Sequence, residues 1–266
     1  MTIRLSPFDP TRFSLLVQER QLHLGVPCHY VPVTGSTNVD LMSAARGNAP
    51  AGALHVADLQ TQGRGRHGNR WASPRPAENL LFSVLLRSKM PLQTASCFTL
   101  AVGLAVRDAV QPYLAQPVGI KWTNDVYVAG RKLAGILVES QLRDQELSAL
   151  VVGIGLNVHM TELPEEIANI ATSMRLLGAR CLDRELLLTE LLAALERRLL
   201  AYERSGLAEI LDELREHDAI YGKRVRVGQL TGIAGGITDQ GALVLDQGPD
   251  GGVIELTNGL VEVSEP

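Results

Sequence analysis

The sequence predicts an α+β fold: a central mixed or antiparallel sheet with packed helices, followed by a small C-terminal β-barrel. Three observations predict it. Apolar runs of strand length, Cys28 to Val33, Ala53 to Leu59, Asn79 to Arg87 and Ala149 to Leu156, are interleaved with amphipathic helical periods. Hydrophobic residues make up 45% of 266, ample for a packed core. Composition changes at Gly222, after which helix signals stop and short apolar runs alternate with glycines. The expected organisation is a lead-in and short helix over 1–27, a main domain over 28–221 and a β-domain over 222–266. The last piece is small for independent stability and should lean on the main domain.

In chain order, Arg12 to Leu24 reads as a short amphipathic helix and Cys28 to Val33 as a strand. Thr37 and Asp40 have capping-box spacing, so a helix should start there. Pro91 to Leu114 is apolar on most sides and reads as one largely buried helix. Gly119 to Lys121 is a short strand, and Val126–Val128 and Lys132–Glu139 form a hairpin bent at Gly130. Alternation sets Lys132, Ala134, Ile136 and Val138 on one strand face. Asn124 and Asp125 suit an Asx-turn. Residues 160–182 are irregular. Asp183 caps a strong helix to about Arg204, with Leu187, Leu191, Leu195 and Leu199 as its core face, and Gly206 to Tyr221 reads as a third amphipathic helix.

The stretch least suited to a core is Gln60 to Trp71, Gln-Thr-Gln-Gly-Arg-Gly-Arg-His-Gly-Asn-Arg-Trp. Arginines at this density are not buried without partners. The interleaved glycines let backbone approach a ligand closely, and Arg64 and Arg66 offer planar charged forks for phosphate or carboxylate. Gly63, Gly65 and Gly68 match G-x-G-x-x-G, but no helix opens there and no acid stands near Phe82 to Arg87. A P-loop is excluded because Asn69 and Arg70 replace its Lys and Ser/Thr. Gly153 and Gly155 share one strand face, leaving room for a ligand or a close-packed backbone.

Net charge is −4 with acids and bases mixed, which argues against a broad nucleic-acid surface. Cys28, Cys97 and Cys181 are far apart and the six histidines have no ligand spacing, so buried thiols in a reducing cytoplasm are expected. No apolar run approaches the roughly 20 residues of a membrane helix.

Five ordered blocks resemble the biotin protein ligases. They are Thr34-Gly-Ser-Thr-Asn38, Gln60 with Gly63-Arg-Gly-Arg-His-Gly68 and Trp71, Lys121-Trp-Thr-Asn-Asp125, Arg131-Lys-Leu-Ala-Gly-Ile-Leu137 and Gly153-Ile-Gly-Leu-Asn157. The resemblance implies a catalytic domain like those of class II aminoacyl-tRNA synthetases and an SH3-like terminal barrel. It implies that biotin and ATP, with Mg²⁺, give biotinyl-5′-AMP, and that biotin then passes to a lysine of the biotin carboxyl carrier of a carboxylase. By position, Ser36, Thr37, Asn38 and Gln60 would line the biotin site. Arg64, Gly65 and Arg66 would wrap carboxylate and phosphate, and Lys132 would contact both. Lys121 would sit near the phosphates, Trp71 and Asn157 at the nucleotide end, and Asn124 and Asp125 would orient Mg²⁺-bound phosphates. Arg66, Lys121 and Lys132 would be the catalytic set. The arginine loop is expected to order over the intermediate.

Two features depart from the resemblance. Thr123 replaces the usual proline of the Lys-Trp-Pro-Asn-Asp block. The core begins near residue 28, so no winged-helix repressor domain is expected ahead of it, and no specific DNA binding. A lipoate or octanoate ligase of related fold, a biotin-responsive repressor and an inactive biotin-binding module are the rival readings. The glycine–arginine loop and the terminal β-domain favour biotin over lipoate. Oligomeric state stays open, with a homodimer among the expectations.

Overall fold

A computed structural model describes residues 5–264 apart from Lys89, Ser96 and Asp250. The elements are α1 (Pro10–Glu19), β1 (Cys28–Thr34), α2 (Thr37–Arg46), β2 (Leu54–Gln60), β3 (Asn79–Leu86), α3 (Leu92–Ala95), α4 (Phe98–Val110), β4 (Val118–Lys121), β5 (Asp125–Val128), β6 (Arg131–Arg143), β7 (Glu146–Asn157), α5 (Arg184–Ser205), α6 (Leu211–Glu216), β8 (Arg224–Val227), β9 (Leu230–Ile237), β10 (Leu243–Asp246), β11 (Val253–Leu256) and β12 (Val261–Val263). A seven-stranded mixed sheet has the order β1-β2-β3-β7-β6-β5-β4, and a five-stranded antiparallel sheet the order β11-β10-β9-β8-β12. This is the α+β arrangement that the sequence predicts.

Among the strand pairs of the described residues, β1 and β2 alone are parallel, with α2 as the crossover that parallel strands require. The β5–β6 turn puts both Ala129 (φ 49°) and Gly130 (φ 77°) in the left-handed region, as a two-residue hairpin demands. β3 is buried on both faces, so it reads as a continuous apolar run. Leu80, Phe82, Val84 and Leu86 join the main core with α4 and α5. Leu85 joins a smaller cluster with Leu41 and Ala45 of α2, Ala53, Ala149 and Val151. α4 lies between the sheet and α5, which is why it is apolar nearly all round. Val225, Ala234, Leu243 and Leu245 of the terminal sheet belong to that same core.

Several expectations are corrected. α1 starts at Pro10, because Asp9 caps it through the amides of Thr11 and Arg12, and ends at Glu19. The N-cap of α2 is Ser36, not Thr37, and Asp40 accepts the Thr34 hydroxyl at 2.5 Å instead of closing a capping box. The helix expected over Pro91–Leu114 is split into α3, α4 and a 3-10 turn at Gln111–Tyr113. The third amphipathic helix shrinks to α6, Leu211–Glu216. The three cysteines are half-buried rather than buried, and form no disulfide. α5 agrees with its expectation: Asp183 accepts from the Leu186 amide at 2.9 Å, and Leu187, Leu191 and Leu195 are buried. No helix among the described residues is long and apolar enough to cross a membrane.

The start of α5 is tied to the sheet by a buried pair. Arg184 Nη1 lies 2.7 Å from Asp58 Oδ1, with side chains only 4% and 5% exposed. Arg184 also donates to the carbonyls of Asn79 and Ser6. Removing one partner of a buried pair leaves an uncompensated charge at a cost of about 3–5 kcal/mol. Arg184→Ala should therefore lower the thermal midpoint by roughly 6–20 °C, at roughly 2–4 °C per kcal/mol for a chain of this size. A shift below 2 °C in a calorimetric scan, at about 1 kcal/mol or less, would show that the pair is dispensable.

Candidate active site

A cavity opens on the α2 face of the main sheet, where β6 and β7 carry Gly135, Gly153 and Gly155 in place of larger side chains. Its walls also include Ser36, Thr37, Asn38, Gln60, Arg64, Gly65, Arg66, Trp71, Lys121, Asn124, Asp125 and Lys132. The sequence-predicted residues are therefore brought together, with one exception. Asn157 is not in the lining, and its amide donates to the Thr172 carbonyl at 2.9 Å.

At one end, α2 points its first turn into the cavity. Gln60 Oε1 accepts from the Thr37 amide at 2.8 Å and from its hydroxyl at 3.1 Å. The Thr37 hydroxyl is 2.7 Å from the Ser83 hydroxyl, which donates to Asn38 Oδ1 at 2.5 Å. Asn38 Nδ2 then donates to the Leu137 carbonyl at 3.2 Å and to Glu139 at 2.9 Å. The Ser36 side chain makes no capping hydrogen bond and lines the cavity. Sequence reasoning missed Ser83 and Glu139. Ser83 had a signal, as the one polar residue inside a strand otherwise apolar after Asn79.

The room left by the glycines is filled by site side chains. A Cβ at Gly153 would stand 2.0 Å from Asn38 Oδ1, and one at Gly155 2.4 Å from Trp71 Cε2. The Trp71 ring thus packs against Gly135 and Gly155, with its Nε1 buried and, among the described residues, without a hydrogen-bond partner.

The arginine loop is a hydrogen-bonded hairpin. Gly65 donates to Asn69 at 2.8 Å and Trp71 to Gly63 at 3.0 Å. A Cβ at Gly63 would stand 2.8 Å from the Trp71 carbonyl oxygen, so this glycine lets the two arms of the loop itself approach, where the sequence suggested approach to a ligand. Arg64 pairs with Glu139 at 3.1 Å. Arg66 is half-buried and, among the described residues, makes no ion pair; burial lowers its pKa, against an opposing pull from Asp125.

At the other end, Lys132 Nζ lies 2.6 Å from Asp125 Oδ1 and 5.5 Å from the Trp71 ring centroid. The expected strand face for Lys132 is wrong. The β5–β6 register slips, so that Ala134 opposes Val126 while Lys132 opposes Tyr127. This bulge turns Lys132 away from Ala134 and Ile136, which enter the core, and onto the side of Gly135. Lys121 donates to the Tyr127 hydroxyl at 3.0 Å. Burial lowers the Lys121 pKa; Lys132 adds to that, and Asp125 and Glu262 oppose it. Burial and Asp125 push the Tyr127 hydroxyl up, so it stays neutral. Asn124 forms no Asx-turn: its amide donates to the Ile136 carbonyl at 3.1 Å, and Ile136 returns its own amide to Asn124 O at 2.9 Å. Trp122 Nε1 donates to Gly241 at 2.9 Å, and Gly259, Leu260 and Val261 complete the wall from the terminal sheet.

The arrangement is chemically lopsided. A neutral hydrogen-bonding set occupies one end, Arg66, Lys121 and Lys132 gather around Asp125 at the other, and Arg64 pairs with Glu139 between them. Such a cavity suits a ligand with a polar neutral head that meets a second anion at its acidic end.

Residues 30–157 match the Biotin/lipoate A/B protein ligase family. The chain is 41% identical over 227 residues to the biotin--[acetyl-CoA-carboxylase] ligase of Mycobacterium tuberculosis, covering 82% of each chain. It is 32% identical over 241 residues to the bifunctional ligase/repressor BirA of Bacillus spizizenii, covering 88% of this chain and 73% of that one. The solved biotin protein ligase of Aquifex aeolicus in complex with biotin and ATP matches with a TM-score of 0.75 and 29% identity, covering 90% of this chain and 99% of that one. Similarity of that extent, in sequence and in fold, shows that the chain belongs to the biotin protein ligases of the biotin/lipoate ligase family.

Proposed function

We propose that the chain activates biotin with ATP and transfers it to a lysine of a biotin carboxyl carrier protein or domain of a carboxylase. One observation carries this reading: a single cavity joins the neutral set Ser36, Thr37, Asn38 and Gln60 to the cationic set Arg66, Lys121 and Lys132. In the first step a biotin carboxylate oxygen attacks the α-phosphorus of ATP, an O–P bond forms and pyrophosphate leaves. In the second, the neutral amine of the carrier lysine attacks the acyl carbon. AMP leaves with the bonding pair, and the nitrogen loses a proton. A cytoplasmic site of action belongs to the same reading.

Ser36 and the open end of α2 take the polar head of biotin. Gln60, Thr37 and Asn38 hold that end rigid through Ser83. Two anions must meet at the other end, so positive charge there lowers the barrier more than any covalent help. Arg64, Gly65 and Arg66 close over the carboxylate and phosphate, and Lys132 spans both. Lys121 faces the phosphates, and Trp71 packs beside the nucleotide. Asn157 contacts that nucleotide only once its amide leaves Thr172. The division at residue 222 is part of the proposal, with the terminal strands closing the nucleotide side.

ATP enters this scheme with Mg²⁺. Among the described residues no group of three His, Cys, Asp or Glu side chains could hold a metal. Asp125 is one carboxylate already paired with Lys132, and the Asn124 amide is bound to Ile136. Such a donor set fits Mg²⁺ only when phosphate oxygens and waters supply the remaining ligands. When bound, the ion neutralises phosphate charge. Titration with Mg²⁺ alone should accordingly show no binding, and saturable binding should emerge once ATP is present. A tight nucleotide-independent site would contradict this.

The direct test is label transfer. Protein, labelled biotin and ATP should release pyrophosphate and label a carrier fragment, while lipoate run in parallel should not be transferred. Absence of both pyrophosphate and label would remove the proposal.

The two cations should fail differently. Arg66 comes from the loop, so it secures an adenylate already formed; losing a charge-assisted pair in a closed site costs roughly 2–5 kcal/mol. Arg66→Ala should speed adenylate release by some tens to thousands of fold, since such losses fall mainly on dissociation. Lys132→Ala should depress adenylate formation itself. Dissociation rates and bystander-lysine labelling separate the two; retention of the adenylate by Arg66→Ala at the parent rate would end the lid assignment.

A further inference from the structure

One carboxylate stands between the two ends of the cavity. Glu139 Oε2 accepts Asn38 Nδ2 at 2.9 Å, while Glu139 Oε1 lies 3.1 Å from Arg64 Nη1. It thereby closes a path from Gln60 through Thr37, Ser83 and Asn38 to the arginine loop. We infer that Glu139 is a positioning residue that clamps the arginine loop to the biotin end of the cavity. The inference rests on the ligase reading for its ligands but not for its geometry.

The physical argument has two parts. Asn38 is fixed on the sheet by the Leu137 carbonyl and the Ser83 hydroxyl, so the carboxylate it holds is fixed too. Arg64 engages that carboxylate through Nη1, which leaves the other edge of its planar fork for a ligand carboxylate. Glu139 therefore orients Arg64 without competing for its ligand-binding edge. Filling of the Asn38 end and seating of the loop become linked through one side chain. Arg64 is 52% exposed and Glu139 23%, so the clamp is solvent-screened and its effect modest.

Glu139→Gln tests this, because the amide oxygen still accepts from Asn38 while the charge facing Arg64 is lost. Three readouts apply: trypsin nicking at Arg64, Arg66 and Arg70 without ligand, dissociation of preformed biotinyl-adenylate, and the split between KM for biotin and kcat for adenylation. The variant should be nicked and should release adenylate about 1.5-fold to fivefold faster, as loss of a partly exposed pair allows. KM for biotin should rise with kcat little changed, and the thermal midpoint should stay at the parent value. Glu139→Ala should behave alike in the loop but also lower the midpoint, since it removes one of the two acceptors of Asn38 Nδ2 and leaves the Leu137 carbonyl alone. Arg64→Gln, which loses the ligand-facing edge as well as the clamp, should release adenylate at least as fast as Glu139→Gln, and adding Glu139→Gln to it should do nothing more. Parent-like nicking and release by Glu139→Gln, or independent multiplication of the two effects, would overturn the inference. If the parent itself forms no adenylate, the ligase reading fails, while the nicking comparison still decides the clamp.

Discussion

The site depends on how closely α2 can sit against the sheet. At Gly153 any Cβ would stand 2.0 Å from Asn38 Oδ1, so the missing side chain lets the first turn of α2 rest on β7. Everything polar at that end follows. From that depth Asn38 reaches Ser83, Leu137 and Glu139, and its neighbour Thr37 meets Ser83 and Gln60. The same device serves the other end, where Gly155 and Gly135 admit the face of Trp71. Glycine here weakens a strand in exchange for side chains seated at backbone distance.

Much of this was legible in the chain, for local reasons. The continuous apolar run of β3, the Asp183 cap and the bend at Gly130 are set by neighbours in sequence, and each lies where its pattern put it. The cavity's composition was also legible, because arginines among glycines and paired Gly153 and Gly155 have few uses in a core. What was not legible depends on contacts between distant segments. The Lys132 bulge is a register slip against β5, and no pattern within β6 records it. Asn124 looked like a turn-former because its partner, Ile136, is twelve residues away on another strand. The long apolar stretch from Pro91 broke into pieces although its apolar content continued.

The terminal sheet is joined to the chemistry by one hydrogen bond and one wall. Trp122 Nε1 reaches Gly241, so the turn carrying Asn124 and Asp125 is anchored outside the main sheet. Gly259, Leu260 and Val261 then close the cavity beside Lys121. The shared core explains why a piece this small holds its shape: Val225, Ala234 and Leu245 are buried with the rest of the chain.

The charges at the cationic end are arranged for arrival rather than for rest. Burial disfavours the charged forms of Lys121 and Arg66, and Lys132 adds to the first. Asp125 opposes both shifts, yet its near contact is Lys132. Asp125 is thus shared among three cations, with only the added pull of Glu262 on Lys121, and positive charge is left in excess in a partly buried space. An arriving phosphate or carboxylate relieves that cost and strengthens its own binding by the same interaction. Two anions relieve it more than one, so the cavity favours the state in which carboxylate and phosphate are held together, which is the geometry that joining them requires.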